Sequence, residues 1–191
     1  MKDLALLVLR LVTGGLLAGH GAQKLFGSFG GHGLEGTGGW LESMGMRPGK
    51  NWAMAAGGAE LGGGALTALG LLNPIGPLLM FGPMATATRL VHWDKPVWVT
   101  EGGAELPLTN LAIGTALLLS GPGAISLDRI LGVRVPWYAS LLAMGAVAAG
   151  VRAATDAEFR SKLESVPAAA KEALRSAPAA QSTGTADVTP I

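Results

Sequence analysis

The sequence contains no cysteine among its 191 residues. This absence excludes disulfide bonds, thiol redox chemistry, iron–sulfur clusters and covalent attachment of c-type haem, because each of these needs cysteine. Any redox role of the chain therefore requires a bound cofactor or a partner protein.

Charge is also scarce. Charged residues make up 14% of the chain, whereas soluble domains usually contain about 25%. The formal net charge is only +1, so the chain offers no strongly basic surface and nucleic acid is not an expected partner. Together with a mean hydropathy of +0.42, the low charge predicts a multi-pass protein of the cell membrane whose partner is the lipid bilayer.

Long apolar runs recur along the chain, and a helix of about 20 apolar residues crosses roughly 30 Å of hydrocarbon. Four such windows lie at 4–22, 51–72, 75–93 and 104–121, and a shorter fifth lies at 136–151. We therefore predict an all-α fold with a transmembrane four-helix bundle and a fifth, short transmembrane helix.

The chain divides into three predicted parts. Residues 1–135 form the four-helix membrane domain, and residues 136–151 form the additional transmembrane helix. Residues 152–191 are rich in Ala, Ser, Thr and Pro with scattered charges, which predicts a polar, largely disordered tail. Within this tail, residues 155–175 are predicted to form short surface helices broken near Pro167.

Two charged residues lie well inside the predicted spans. A charge at the centre of a span costs about 2.5–3.5 kcal/mol on insertion scales, so such residues usually face protein or water. At 1.5 Å per residue, Glu60 lies about 13 Å and Arg10 about 18 Å from the same membrane face. We predict an intramembrane Arg10–Glu60 pair, which either serves as a structural lock or lines a functional cavity.

Glycines surround Glu60 in the sequence "AAGGAELGGGA". Gly58 and Gly62 have the small-xxx-small spacing that lets two membrane helices approach closely. This spacing predicts close helix packing around Glu60.

Polar side chains collect at one predicted membrane face, because successive spans alternate in direction. Seven of them are predicted to form a ligand-binding site: His20, Gln23, Lys24, Arg89, His92, Glu105 and Asn110. The nearby sequence "GHGAQKLFGSFGGHG" contains six glycines, which tolerate the positive φ angles of a tight return. We predict that residues 27–50 are a glycine-rich loop in which Phe26 and Phe29 fold over a flat, apolar ligand. The alternative is an interfacial anchor only.

Three segments resemble successive landmarks of the DoxX family: "LRLVTGGLLAGHGAQKLFGSFGGHG", "AELGGGALTALGLL" and "NLAIGTALLLSGPGAISLDRIL". The resemblance covers about residues 4–132. It implies a four-helix bundle in the cytoplasmic membrane. It also implies an association with membrane redox chemistry, because the family is named after a subunit of a thiosulfate:quinone oxidoreductase. Family members are associated with complexes that include superoxide dismutase and a sulfurtransferase partner.

The leading functional prediction is a subunit that binds quinone or anchors redox enzyme partners at the membrane face. Quinone reduction needs donors to the carbonyl oxygens and a proton route, which His, Lys or Arg and a carboxylate can supply. One alternative is a proton or small-solute transporter that uses Arg10, Glu60 and Asn110, and another is a non-catalytic scaffold. Haem b on His20 and His92 is not expected, since a histidine at a helix end usually makes a local hydrogen bond. No metal site is predicted, and whether the chain is itself an enzyme stays open.

Overall fold

A computed structural model describes residues 1–162, and all regular structure in this part of the chain is helical. The predicted all-α class is confirmed for these residues. In chain order, the helices are α1 (Lys2–Phe26), α2 (Gly33–Ser43), α3 (Gly49–Leu69), α4 (Ile75–Leu90), α5 (Glu105–Ser120), α6 (Leu127–Leu131) and α7 (Trp137–Thr155). Residues 157–162 are also helical, and short 3₁₀ turns occupy Ser28–Gly30 and Val99–Glu101.

The predicted apolar windows correspond to α1, α3, α4, α5 and α7. Within residues 1–162, α1 and α7 are long and apolar enough to cross a membrane by length and composition, and α5 is a shorter apolar helix. The transmembrane four-helix bundle with a fifth span therefore stays a prediction.

Helix α4 lies at the centre of the fold. It packs against α3, α5 and α7, while α1 packs along α3 and also touches α5. No residue of α4 from Ile75 to Thr88 is exposed to solvent. The first exposed residue of this helix is Arg89, near its end. Helix α4 also supplies one wall of the cavity described below.

Helices α1 and α3 approach each other through glycine. A Cβ added to Gly14 would lie 2.5 Å from the carbonyl oxygen of Gly64 and 2.6 Å from the amide nitrogen of Ala68. The close packing predicted around Glu60 is present, since an added Cβ would lie 2.8 Å from Cδ2 of Leu25 at Gly57 and 2.5 Å from the amide nitrogen of Ala18 at Gly64. It does not involve Gly58 or Gly62, where an added Cβ would meet nothing within 4 Å. The contact uses a different face of α3, and it aligns the two helices antiparallel with Gly14 opposite Gly64.

Residues 27–50 were predicted to be a loop, and this prediction is wrong for residues 33–43, which form α2. The buried residues of α2 are Thr37, Gly38 and Leu41, and Leu41 follows the other two by four and three positions, so all three lie towards one face. This face packs against α3. Each glycine in a helix costs about 1 kcal/mol of stability relative to alanine. Tertiary packing against α3 therefore stabilises a helix that its own glycines disfavour.

The predicted tail begins too early. Helix α7 continues to Thr155, and the helical residues 157–162 follow it. Arg160 donates from Nη1 to the carbonyl oxygen of Gly45 at 3.0 Å, and its guanidinium lies 5.9 Å from the ring centre of Trp52. The polar segment thus finds partners at the junction of α2 and α3. Residues 163–191, the rest of the predicted disordered tail, lie outside the described residues.

The outer faces of α1, α5 and α7 are apolar. Their exposed side chains include Leu4, Val8, Leu11, Val12 and Leu16 on α1, Leu108 and Leu119 on α5, and Leu141, Leu142 and Met144 on α7. The one charged residue between Leu4 and Leu16 is Arg10, which is buried. Contiguous apolar surface of this kind marks a face that contacts lipid or protein.

Candidate functional site

A cavity of about 540 Å³ lies at the end of the molecule where α1 and α4 finish and α5 begins. Most of its lining side chains are apolar and come from α1 to α5 and from α7. Its polar lining side chains are His20, Lys24, Thr37, Glu60, Thr86, His92 and Asn110. A largely apolar cavity of about 300–1,000 Å³ with a few convergent polar groups is typical of small-molecule sites.

An ion pair between Lys24 and Glu60 lies in the wall of this cavity. The Lys24 ammonium donates to Oε2 of Glu60. Glu60 is only 3% exposed, and a carboxylate so deeply buried needs a charged partner. The pair fixes the end of α1 against the middle of α3.

The predicted Arg10–Glu60 pair is wrong. Nη2 of Arg10 donates to the backbone oxygen of Ile125, and the guanidinium lies against Gly70 at the end of α3. Ten residues of α3, or about 15 Å, separate Gly70 from Glu60. From the sequence, Arg10 and Glu60 were estimated to lie at similar depths from one membrane face. The register of the antiparallel helices α1 and α3 is set by their glycine contact, and it places the two residues at different levels.

Arg10 belongs to a second polar cluster, at the opposite end from the cavity. Asp128 accepts from the backbone N–H groups of Leu72 and Asn73, both at 2.8 Å, and its negative charge attracts the guanidinium of Arg10. Nε and Nη1 of Arg10 are buried and have no hydrogen-bond partner within the described residues. This cluster joins α1, the turn between α3 and α4, and the segment after α5.

The two histidines of the cavity are each held through Nδ1. Nδ1 of His92 lies 2.5 Å from the carbonyl oxygen of Gly102, and because a carbonyl only accepts, Nδ1–H is the donor. Nδ1 of His20 lies 2.9 Å from Oε1 of Gln23, whose Nε2 donates to the carbonyl oxygen of Phe29 at 3.3 Å. The network thus assigns the same tautomer to both rings, with Nε2 as the acceptor in the neutral imidazole.

Four of the seven predicted site residues line the cavity: His20, Lys24, His92 and Asn110. Gln23 lines an adjacent cleft of about 390 Å³ instead, which Lys24 and Thr37 also line. The amide Nδ2 of Asn110 lies 3.6 Å from the sulfur of Met84, a weak acceptor. Asn110 therefore keeps most of its hydrogen-bonding capacity for a ligand.

Arg89 and Glu105 share the same end of the molecule but do not line the cavity. Arg89 is exposed, and its guanidinium lies 5.6 Å from the ring centre of Trp93. Oε2 of Glu105 accepts from the backbone N–H of Val99 at 2.8 Å, which orders the connection between α4 and α5. Both residues have local roles outside the cavity.

The cavity is covered by α2 and not by the two phenylalanines. Phe26 is 70% exposed and Phe29 80% exposed, and neither lines the cavity. Gly27, at φ +72°, ends α1 in the left-handed conformation that glycine tolerates. The chain then turns into α2, which covers the cavity with Thr37, Trp40 and Leu41.

Sequence reasoning missed Thr37, Thr86 and the small side chains of α7 as lining residues. The spacing of Leu34 and Leu41, seven positions apart, is a helical signal that could have identified α2 and the inward position of Thr37. No comparable signal relates α7 to the cavity. Within residues 1–162, no group of three or more His, Asp or Glu residues is placed to hold a metal ion.

A known family model matches the N-terminal part of the chain. Residues 5–93 match the family model described as DoxX. This stretch is similar to the DoxX domain, and it covers just under half of the 191 residues. The resemblance predicted from the sequence is thus confirmed over residues 5–93, and its third landmark, at 110–131, lies beyond the match. No curated protein and no solved structure matches the chain.

The DoxX domain contains most of the polar groups of the cavity. His20, Lys24, Glu60 and His92 all fall within the matched residues, whereas Asn110 and the wall supplied by α7 follow them. The DoxX family indicates a membrane protein, in agreement with the apolar outer faces of α1, α5 and α7.

Proposed function

We propose that this protein is a multi-pass protein of the cell membrane whose cavity binds the head group of a quinone. In this proposal it is a quinone-binding or partner-anchoring subunit of a membrane redox complex, and the DoxX domain contributes most of the site. The observation that carries the proposal is the convergence of His20, Lys24, His92 and Asn110 in a largely apolar cavity of about 540 Å³.

The same proposal assigns the helices to the bilayer. Helices α1, α3, α4 and α5 are the transmembrane four-helix bundle, and α7 is the fifth span. The exposed leucines of α1 and α7 support this assignment, because they form surfaces that hydrocarbon covers at no cost.

The donor set of the cavity fits a quinone. The carbonyl oxygens of a quinone accept hydrogen bonds, and the ammonium of Lys24 and the amide of Asn110 are donors. The imidazoles of His20 and His92 donate from Nε2 when they are protonated. Trp40 lines the same cavity and offers an aromatic face to a flat ring.

A bound quinone would supply the redox chemistry that a chain without cysteine lacks, and the electrons would come from a partner. The connection between α4 and α5 supports the partner-anchoring part of the proposal. It exposes Trp93, which is 69% exposed, and Trp98, which is 61% exposed, at the cavity end. Exposed aromatic residues of this kind anchor a protein at lipid head groups or at another protein.

Titration of decylubiquinone into the purified protein in mild detergent tests the proposed site. We expect His20→Leu and Asn110→Leu to weaken binding about fivefold each, since one hydrogen bond contributes about 1 kcal/mol. Arg89→Leu is the matched control, because Arg89 lies at the same end but outside the cavity. Equal affinities for all three variants and the wild type would contradict the proposal. An absorption spectrum of the same preparation checks for haem b, which would give a Soret band.

The two alternative functions are tested separately. The transport hypothesis joins Arg10, Glu60 and Asn110 in one polar pathway, but Arg10 is bonded to Ile125 at the other end from the cavity. A proton-flux assay in liposomes tests transport directly. Loss of co-purifying partners on mutation of exposed residues, with unchanged quinone affinity, would favour a scaffold.

A further inference from the structure

Helix α7 forms one wall of the cavity with small side chains. Its lining residues are Ala143, Ala146, Val147, Gly150, Val151 and Ala154. The walls opposite also include small residues, with Ala55 and Ala59 on α3 and Gly82 and Pro83 on α4, beside larger ones such as Leu79. We call this narrow part of the cavity, bounded by α3, α4 and α7, the side slot.

The side slot exists because α7 packs on α4 and not along α3. A Cβ added to Gly82 of α4 would lie 3.8 Å from Cγ1 of Val147 on α7, and these two helices are close neighbours, whereas α3 and α7 have no comparable packing. Helix α4 thus forms the floor of the slot, with α3 and α7 as its two sides.

The slot is closed towards the polar end of the molecule. Ala154, near the end of α7, packs in one buried cluster with Leu41, Met46 and Ala53. Towards the outside the slot is open, because Ala55, Ala146 and Gly150 are exposed and also line the cavity. The opening therefore faces sideways, between two helices.

The surface around this opening carries no charge. The exposed residues of α7 from Trp137 to Gly150 are all uncharged, and so are those of α3 from Met54 to Leu69. Hydrocarbon is the surrounding that such a surface fits. The slot is also of suitable length, since the helix rises about 16 Å from Ala143 to Ala154, roughly half of the 30 Å hydrocarbon core.

We propose that the side slot is a lateral portal that holds the apolar chain of a bilayer lipid, with the head of that lipid at the polar end of the cavity. The chain enters between α3 and α7 from one leaflet and lies on α4. The identity of the head as a quinone rests on the proposed function, whereas the chain site rests on the slot alone.

A photoreactive stearic acid, with a diazirine near its methyl end, is a probe that has an apolar chain but no quinone. The full-length protein is reconstituted in phosphatidylcholine vesicles with this probe, illuminated, and mapped by peptide mass spectrometry. We expect label on α4 between Leu79 and Thr86, which are not exposed and are reached through the slot. Label on Leu141 and Leu142, at the outer face of α7, serves as the internal reference.

Two variants on the same helix provide a matched comparison. Ala146→Phe fills the slot, and we expect it to lower the ratio of α4 label to reference label at least fivefold. Ala148→Phe makes the same change about 200° further around α7, at an exposed residue outside the cavity, and the ratio should stay within twofold of wild type. If Ala146→Phe does not fold, Ala55→Phe fills the slot from α3 and carries the same expectation.

Three results would overturn the portal. These are an unlabelled α4 in the wild type, an unchanged ratio in the slot-filling variant, and a dimer that Ala146→Phe dissociates, because a second copy would then fill the slot. The decylubiquinone titration keeps this inference separate from the proposed function. If α4 is labelled but decylubiquinone does not bind, the portal stands and the quinone proposal fails. If decylubiquinone binds but α4 is unlabelled, the quinone proposal stands and the portal fails.

Discussion

The ammonium of Lys24 on α1 is paired with the carboxylate of Glu60 on α3, and the two side chains differ sharply in exposure. The Lys24 side chain is 28% exposed, whereas that of Glu60 is 4% exposed. Lys24 can therefore reach water if its partner is removed. Glu60 cannot, so the two halves of the pair are not equivalent.

Lys24→Leu is expected to lower the free energy of unfolding by about 3 kcal/mol, because it leaves a buried carboxylate without a partner. Glu60→Leu should cost less, since the lysine that remains is partly solvated. The double variant should lie within about 1 kcal/mol of wild type. Unfolding in a single detergent measures all three, and a larger loss for Glu60→Leu than for Lys24→Leu would contradict the asymmetry.

Asp128→Asn tests the polar cluster at the other end of the fold. The asparagine keeps one carbonyl oxygen for two backbone N–H groups, those of Leu72 and Asn73, so one of them loses its acceptor. We expect a loss of about 1–3 kcal/mol in the free energy of unfolding. Asp94→Asn makes the same change at an exposed position and should be neutral within about 0.5 kcal/mol. Similar effects of the two variants would argue against a structural role for Asp128.

Gly14→Ala tests the close approach of α1 and α3. A methyl group at this position would overlap the backbone at Gly64 and Ala68, so we expect a loss of about 1–3 kcal/mol in stability. Gly15→Ala is the adjacent control, where an added Cβ meets nothing within 4 Å. It should raise stability by up to about 1 kcal/mol, since alanine favours a helix over glycine. Thermal unfolding of both variants checks the opposite signs.

Trp40→Ala and Phe29→Ala separate the two accounts of how the cavity is covered. Trp40 lines the cavity from α2, whereas Phe29 is 80% exposed outside it. We expect decylubiquinone to bind Trp40→Ala more weakly by about fivefold to tenfold, from the loss of one aromatic contact. Phe29→Ala should bind as wild type does. The reverse result would restore the phenylalanine cap.

The apolar windows predicted five of the helices because long apolar runs are a one-dimensional property of the sequence. Helix α2 was missed since its glycines match the composition of a loop, and its stability comes from burying Thr37, Gly38 and Leu41 against α3. The short surface helices predicted within 155–175 agree with the helical residues 157–162, but the sequence did not predict where these residues pack. Their attachment depends on Arg160 meeting the carbonyl of Gly45, a tertiary contact that composition does not contain.

The alternating direction of successive helices predicted that His20, Lys24, His92 and Asn110 share one end of the molecule, and these four residues line one cavity. Helix direction alone decides which ends share a side. It could not decide which way a side chain faces around its own helix, so Arg89 was included although it is exposed. The partner of Glu60 was predicted wrongly because the sequence does not contain the register of α1 against α3. The contact between Gly14 and Gly64 sets how far α1 slides along α3, and this distance selects Lys24 as the partner in place of Arg10.

The bond between Arg10 and Ile125 has a consequence for biogenesis. The acceptor is synthesised 115 residues after the arginine, which at about 5–20 residues per second takes roughly 6–23 seconds. In the proposed bilayer arrangement, the nascent α1 spends this interval with an unmatched guanidinium, at a cost of about 2.5–3.5 kcal/mol on insertion scales. Helix α1 gains this bond only when the ribosome has released the segment after α5, so the earliest span reaches its final energy only after α3, α4 and α5 have been made.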